Sequence, residues 1–279
     1  MNAYPINWTT PDGIEIFAND WFLRNPKAVV CLVHGFGEHC MRYDHLGKWL
    51  LEREIAMVSF DQRGHGQSGG KKGHTPSYDT LLDDIEGLLS QAQGHFGLDV
   101  PLILYGHSMG GNLVGNFQMK RKHAQIKGVI LSSPWIELKV EIPKWKLTIG
   151  KMMRKMHPAF SQSADLDANL LSYNEETVRA YESDPLVHNE ISAEMALSLQ
   201  EAGKWLADGS FEVDVPMLVM QGEDDAIIDP EAVYAFFEKL KGDKKLKKWP
   251  LCKHEIHNEY DYEQVFEYIY DWINNKILV

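Results

Sequence analysis

Cysteine is scarce in this sequence of 279 residues, which contains only Cys31, Cys40 and Cys252. An odd and sparse set does not form a disulfide framework, and no C-x-x-C pair is present for zinc or redox chemistry. A chain of this length buries enough apolar surface to be stable without disulfides or metals. We therefore expect a protein of a reducing, cytoplasmic compartment.

Long apolar runs and the sequence features of a signal peptide are also missing. No apolar run approaches the roughly 18 residues of a membrane-spanning helix. Residues 1–5 include neither a basic region nor the start of an apolar one, so no signal peptide is visible. The sequence therefore predicts a protein that does not span a membrane.

Basic residues are outnumbered by acidic ones, and the formal net charge is −12 at pH 7. Because such a chain repels polyanions, we expect no nucleic-acid partner, and anionic membranes are disfavoured except at local basic patches. Hydrophobic residues make up 44 % and charged residues 24 % of the chain, which is typical of a globular protein and excludes general disorder.

Short apolar runs alternate with helical patterns along most of the chain. Ser77–His95 and Glu263–Asn275 have apolar residues at helical spacing. The alternating segment Ile14–Phe22 follows the turn Pro11-Asp12-Gly13 and predicts a hairpin. Strands that alternate with helices predict an α/β fold, a mostly parallel sheet covered by helices on both faces. The candidates for buried strands are Ala28–Val33, Ile55–Phe60, Leu102–Tyr105, Gly128–Leu131 and Pro216–Met220.

This alternation breaks between residues 134 and 207. The segment is helix-rich and shows no convincing buried strand, and the strand pattern resumes at Pro216. We expect one core made of residues 1–133 and 208–279, with a helical cap inserted at 134–207.

The first chemical signal is Gly106-His107-Ser108-Met109-Gly110, which follows a predicted strand and opens a predicted helix, Met109–Arg121. A G-x-S-x-G sequence in this context is a nucleophile elbow, whose glycines allow a turn too sharp for a Cβ. Ser108 then lies at a helix N-terminus, where the helix dipole stabilises a developing anion.

A nucleophilic serine needs a base and a carboxylate that orients it. In hydrolases of this type the acidic residue and then the histidine follow the serine along the chain. Acidic residues follow the strand Pro216–Met220, and the next strand-like run, Lys245–Pro250, precedes two histidines. The candidates are Glu223, Asp224 and Asp225 for the acid, and His254 and His257 for the base.

An oxyanion hole requires two backbone N–H groups. The residue after the nucleophile, Met109, supplies one of them, and the loop after strand Ala28–Val33 is expected to supply the other. Phe36 is the best candidate in that loop. We interpret His34, just before it, as a structural hydrogen-bonding residue.

The chain resembles the α/β-hydrolases of the monoacylglycerol lipase and lysophospholipase group from about residue 12 to its C-terminus. The resemblance implies that Asp225 is the orienting carboxylate and His254 the base, whereas His257 braces the loop. Phe36 departs from the small residue that these lipases often have there. The matching segments are His34–His39, Asp61–Ser68, Gly106–Gly111, Ser183–Leu186, Gln221-Gly222-x-x-Asp225 and His254-x-x-His257.

Two patterns suggest cofactor or metal sites but lack the necessary context. Gly64–Gly69 spells G-x-G-x-x-G, yet the following segment, Gly70–Pro76, cannot open the helix that a dinucleotide site needs. His254 and His257 do not have the H-E-x-x-H spacing of a zinc site. We therefore expect no cofactor and no metal.

The segment Lys144–Met156 mixes apolar and basic residues. Either its apolar side packs on its own domain, or it forms an entrance helix that makes transient contact with a lipid surface. Under the second interpretation Trp145, Met152 and Met153 bind substrate. Cys252 is a further candidate for the pocket, because in an extended segment its side chain would point to the same side as that of residue 254. The alternative is that Cys252 is a small apolar residue buried in the core.

These features predict a serine hydrolase that cleaves carboxylic esters through an acyl-enzyme on Ser108. The resemblance implies a small lipid ester with a single acyl chain as substrate, a monoacylglycerol or a lysophospholipid. The alternatives are another serine hydrolase on the same fold, such as a thioesterase, small-ester esterase or peptidase, or a non-catalytic binding protein.

Overall fold

The computed structural model describes residues 3–140 and 142–278. The strands are β1 (Tyr4–Thr9), β2 (Glu15–Trp21), β3 (Ala28–Val33), β4 (Ile55–Phe60), β5 (Leu102–His107), β6 (Ile126–Ser132), β7 (Ser161–Ser163), β8 (Glu190–Ser192), β9 (Met217–Gly222) and β10 (Lys244–Trp249). The α-helices are α1 (Asp44–Leu51), α2 (Tyr78–Phe96), α3 (Met109–Lys120), α4 (Lys144–Met156), α5 (Glu175–Ser183), α6 (Ala193–Asp208), α7 (Pro230–Lys239) and α8 (Tyr262–Lys276).

One sheet organises the molecule, with the strand order β1-β2-β4-β3-β5-β6-β9-β10. Strands β4, β3, β5, β6, β9 and β10 are parallel to their neighbours in that order. The hairpin β1–β2 pairs antiparallel with the edge at β4. The prediction of a mostly parallel α/β sheet is therefore confirmed.

Helices cover both faces of the sheet. On one face, α1 and α8 bury side chains such as Leu46 and Phe266 against the strands. On the other face, α2, α3 and α7 bury Ile85, Phe117 and Phe236, respectively. Strands β3 and β4 are buried at every position, which explains their uninterrupted apolar sequences.

The described residues between β6 and β9 add no strand to this sheet. Its strands β7 and β8 pair only with each other among the residues that the structure describes. Helix α4 has no buried residue, whereas α6 inserts Met195, Leu199 and Leu206 into the main core. Helix α6, which lies at the end of the predicted cap at 134–207, thus packs against the core, and the division into core and cap stays a prediction.

Candidate active site

Ser108 lies at the sharp turn between β5 and α3. Its backbone has φ 53° and ψ −115°, a conformation that is strained for any residue with a Cβ. A Cβ at Gly106 would clash with the backbone oxygen of Gly110, and a Cβ at Gly110 would clash with that of Val33. The sequence G-x-S-x-G therefore forms the strained turn that its pattern predicts, with Ser108 at the start of a helix.

His254 and Asp225 meet at the carboxyl edge of the sheet, after β10 and β9. The Nδ1 of His254 donates to the Oδ2 of Asp225 over 2.8 Å. The same oxygen accepts from the amide of Gln221, and Oδ1 accepts from the backbone N–H groups of Ile227 and Ile228. These bonds hold the buried carboxylate in one orientation. Because Nδ1 of His254 is bound to it, the Nε2 of the same ring points away from Asp225.

Burial and charge oppose each other at His254. Burial disfavours the imidazolium, but the charge of Asp225 and the hydrogen bond to it outweigh burial, and the pKa of His254 is raised above its ordinary value. Burial lowers the pKa of His257 to about 3, so this second histidine stays neutral. The ring of His257 stacks on Tyr43, with ring centroids 4.7 Å apart.

The other acidic candidates lie outside this arrangement. Glu223 and Asp224 are exposed. The carboxylate of Asp224 accepts a hydrogen bond from the hydroxyl of Tyr173 over 3.1 Å, on the outside of the site. The structure therefore brings together Asp225 and His254, the pair that the resemblance implies.

The two residues predicted to form the oxyanion hole, Met109 and Phe36, lie near Ser108. Met109 is the first residue of α3, and Phe36 lines the same cavity as Ser108. Among the hydrogen bonds found in residues 3–140 and 142–278, none uses the N–H of Phe36 or Met109. The ring of Phe36 packs edge-on against His65 and His188, which holds this side chain to one side of the loop.

His34 has the structural role predicted for it. Its ring is fully buried, its Nδ1 donates to the carbonyl of Gly35, and its Nε2 accepts from the N–H of Gln62. Burial lowers the pKa of His34 to about 3, so it stays neutral and keeps both bonds.

A cavity of about 450 Å³ opens at Ser108, and we call it the Ser108 cavity. His254 and Phe36 line it on the core side. The opposite wall is mostly apolar and comes from several separate parts of the chain. Its apolar lining includes Trp135, Leu138, Ile142, Leu170, Leu171, Ile191, Ile227 and Ile228.

Comparison with known proteins identifies the family. The sequence matches the family described as "Serine aminopeptidase, S33" over residues 24–261. The chain belongs to this family. The crystal structure of Paleococcus ferrophilus monoacylglycerol lipase superimposes on this S33 hydrolase with a TM-score of 0.82 and 30 % identity, covering 98 % of each chain.

Two relatives extend the comparison for this S33 hydrolase. A monoacylglycerol lipase of Mycolicibacterium smegmatis is 29 % identical over 264 residues, which are 94 % of this chain and 93 % of the relative. An uncharacterized abhydrolase domain-containing protein of Dictyostelium discoideum is 36 % identical over 99 % of this chain, which spans only 30 % of that protein. The chain is thus an α/β-hydrolase of the monoacylglycerol lipase group.

A buried ion-pair network behind the site was not expected from the sequence of the S33 hydrolase. Arg42 donates to Glu38 over 2.7 Å and to both carboxylate oxygens of Glu255 over 2.6 and 2.7 Å. Glu38 in turn accepts from the N–H of Gly35 and the hydroxyl of Tyr43. The four-residue spacing of Glu38 and Arg42 is the one local sign of this network in the sequence.

The pair of Arg42 and Glu255 is charged in spite of its burial. Burial raises the pKa of Glu255, but the two-bond pair with Arg42 outweighs it and lowers that pKa to about 2. Burial raises the pKa of Glu38, which shares the same guanidinium. Arg42 thus connects the loop of Phe36 with the loop of His254.

The residues predicted to bind substrate lie in different places, and their role in binding stays a prediction. Trp145 and Met153 line a second cavity, between α4 and α6, while Met152 and Cys252 line neither this cavity nor the Ser108 cavity. Met152 is 52 % exposed on the outside of α4. Strand β10 ends at Trp249, and Leu251 has φ 56°. The chain between Cys252 and the strand is therefore not extended, so the alternation of sides that predicts Cys252 next to His254 does not apply.

The helices of this S33 hydrolase were compared with the requirements for crossing a membrane. Within residues 3–140 and 142–278, no helix is both long enough and apolar enough to cross a bilayer.

Proposed function

We propose that this S33 hydrolase cleaves esters of a single fatty acyl chain, monoacylglycerols or lysophospholipids, by acyl transfer to Ser108. The observation that carries the proposal is the apolar Ser108 cavity, which offers a long acyl chain burial directly beside a nucleophile elbow and a paired histidine. Each buried methylene contributes about 0.8 kcal/mol, so an apolar wall favours acyl chains over polar substrates.

Each group has a defined place in the proposed reaction, and His254 acts as both base and acid. The Oγ of Ser108 attacks the ester carbonyl while the Nε2 of His254 takes its proton. Asp225 holds the Nδ1–H of His254 and stabilises the imidazolium. The N–H groups of Phe36 and Met109 bind the oxyanion, which collapses as His254 protonates the leaving alcohol. Water, activated by His254, then releases the fatty acid.

A peptidase on the same scaffold is the second candidate, because the family description names an aminopeptidase. An aminopeptidase needs a free carboxylate for the substrate ammonium. Of the carboxylates that line the cavity, those of Glu38 and Glu255 are paired with Arg42, whereas those of Asp165 and Asp167 are in no ion pair among the described residues. The apolar wall of the cavity favours an ester with an uncharged acyl chain, and the substrate series below separates the two candidates.

We also propose transient contact between α4 and a lipid surface. This helix exposes Trp145, Ile149, Met152 and Met156, each to between 47 % and 64 %. Lysines of the same helix, such as Lys151, are placed to meet lipid headgroups although the chain is acidic overall.

Two measurements test the reaction. A fluorophosphonate probe should label the wild type and not Ser108→Ala, which separates a serine hydrolase from a binding protein. A series of monoacylglycerols, lysophospholipids, acyl thioesters and aminoacyl amides then separates the hydrolase classes. Faster turnover of aminoacyl amides than of any lipid ester would overturn the proposal.

A further inference from the structure

The turn that follows β6 contacts the backbone at both Ser108 and His254. The carbonyl of Ser132 accepts the N–H of Ser108 over 3.0 Å, and the carbonyl of Ser108 accepts the N–H of Trp135 over 2.9 Å. The hydroxyl of Ser133 donates to the backbone carbonyl of His254 over 2.8 Å. This one short turn therefore binds the nucleophile turn and also the loop that includes the paired histidine.

The backbone of Ser133 is strained. It has φ 43°, in the left-handed region that glycine adopts freely but that is unfavourable for a residue with a Cβ. The side chain is fully buried, and the N–H of Ser133 donates to the carbonyl of Met220 in β9 over 2.8 Å. Glycine would relieve the strain and keep this backbone bond. The hydroxyl is thus the feature of Ser133 that glycine cannot supply.

The bond from Ser133 holds the backbone of His254, whereas Asp225 holds its ring. Among the residues that the structure describes, the hydroxyl of Ser133 is the hydrogen-bond donor found for the carbonyl of His254. The next N–H along the loop, that of Glu255, donates instead to the carbonyl of Leu171 over 2.8 Å. The bond to Asp225 fixes the tautomer, but the place of Nε2 relative to the nucleophile also depends on the backbone.

We propose that Ser133 is a positioning residue of the reaction, whose hydroxyl holds the backbone of His254 so that Nε2 faces the Oγ of Ser108. This inference rests on the proposed function, because it takes His254 as the base and Ser108 as the nucleophile. Ser133 does not line the Ser108 cavity, so it acts through His254 and not on the substrate.

The physical basis is the sensitivity of proton transfer to position. A catalytic group that is misplaced by about 1 Å can lower the rate about 10²-fold. Without the hydroxyl of Ser133, the buried carbonyl of His254 loses its donor, and the loop shifts to regain one. Such a shift changes kcat and not KM, because other side chains, those of the Ser108 cavity, contact the acyl chain.

The test compares Ser133→Ala with Ser133→Gly, which both remove the hydroxyl but differ in backbone strain. The readouts are kcat and KM for p-nitrophenyl butyrate, and urea unfolding measures stability. Both variants should lower kcat about tenfold or more and leave KM unchanged. Ser133→Gly should resist urea better than Ser133→Ala, because glycine adopts φ 43° without strain. A purely structural role would instead make activity follow stability.

Ser59→Ala is the matched control. Ser59 is also fully buried, and its hydroxyl donates to the carbonyl of Leu32 over 3.0 Å within the sheet. This variant should lose stability but keep the kcat of the wild type. Wild-type kcat in Ser133→Gly, or an equal loss of kcat in Ser59→Ala, would overturn the inference.

The same experiment separates the inference from the proposed substrate. Loss of kcat in both variants of Ser133 supports the inference, whichever lipid ester the wild type prefers. A wild type that hydrolyses no ester would overturn the inference together with the proposed function.

Discussion

Arg42 and Glu255 form a buried ion pair with two hydrogen bonds although they are 213 positions apart in the sequence. Glu255 is the neighbour of His254, and Arg42 also binds Glu38 in the loop that includes Phe36. One guanidinium therefore connects the two loops on either side of Ser108.

We expect Arg42→Ala to destabilise the protein by about 3–5 kcal/mol, because it leaves buried carboxylates without their partner. Denaturant unfolding measures the change. Arg179→Ala is the control, since Arg179 forms an exposed pair with Glu175 and its loss should change stability by about 0.5 kcal/mol or less. Equal effects of the two substitutions would show that the network contributes little.

Ser108→Ala should lower ester turnover by about 10³-fold or more while the protein stays folded. The expected cause is loss of the nucleophile, because the turn itself is retained. Ester turnover measures the loss of activity, and circular dichroism checks that the variant is folded. Ser90→Ala, at an exposed position of α2, should retain full activity. Substantial turnover by Ser108→Ala would refute the assignment.

Asp225→Asn should reduce kcat by about 10⁴-fold, since an amide no longer fixes the required tautomer of His254. Asp224→Asn makes the same chemical change one position earlier, at an exposed residue bound to Tyr173. It should reduce activity little. A larger loss at Asp224 than at Asp225 would mean that the orienting carboxylate is misassigned.

The pH dependence of kcat/KM should follow His254, which must be neutral to accept the proton of Ser108. Because Asp225 raises the pKa of His254, activity should be lost as pH falls, with a midpoint above the ordinary value of 6.5. The measurement is kcat/KM for a soluble ester across this pH range. A midpoint below 6.5 would contradict the charge effect of Asp225.

The double substitution of Met152 and Met156 by serine should weaken binding to phospholipid vesicles about tenfold or more, because both side chains are exposed on α4. Co-sedimentation with vesicles that contain phosphatidylserine measures binding. Hydrolysis of a soluble butyrate ester should be unchanged. Leu98→Ser removes an exposed apolar side chain away from α4 and should not alter binding. Vesicle binding that survives the double substitution would place the lipid contact elsewhere.

Local patterns predicted the core of the fold and the position of Ser108. Ala28–Val33 and Ile55–Phe60 are strands at the predicted bounds, because uninterrupted apolar runs suit strands that are buried on both faces of a sheet. The turn at Ser108 depends on Gly106 and Gly110, which are close in the sequence. The resemblance to a known family was needed to choose Asp225 and His254 from their neighbours.

The tertiary structure alone decided what lines and supports the site. The bond between Arg42 and Glu255 forms only after the sheet has brought their two loops together, and neither residue has a local pattern that reveals it. The turn at Leu251 removes Cys252 from the side of His254. Sequence by itself determined the elements whose signals are local, the buried strands and the nucleophile turn. Ion pairs and cavities depend on contacts between distant segments, so they were settled by the packing of the sheet, its loops and helices α4 and α6.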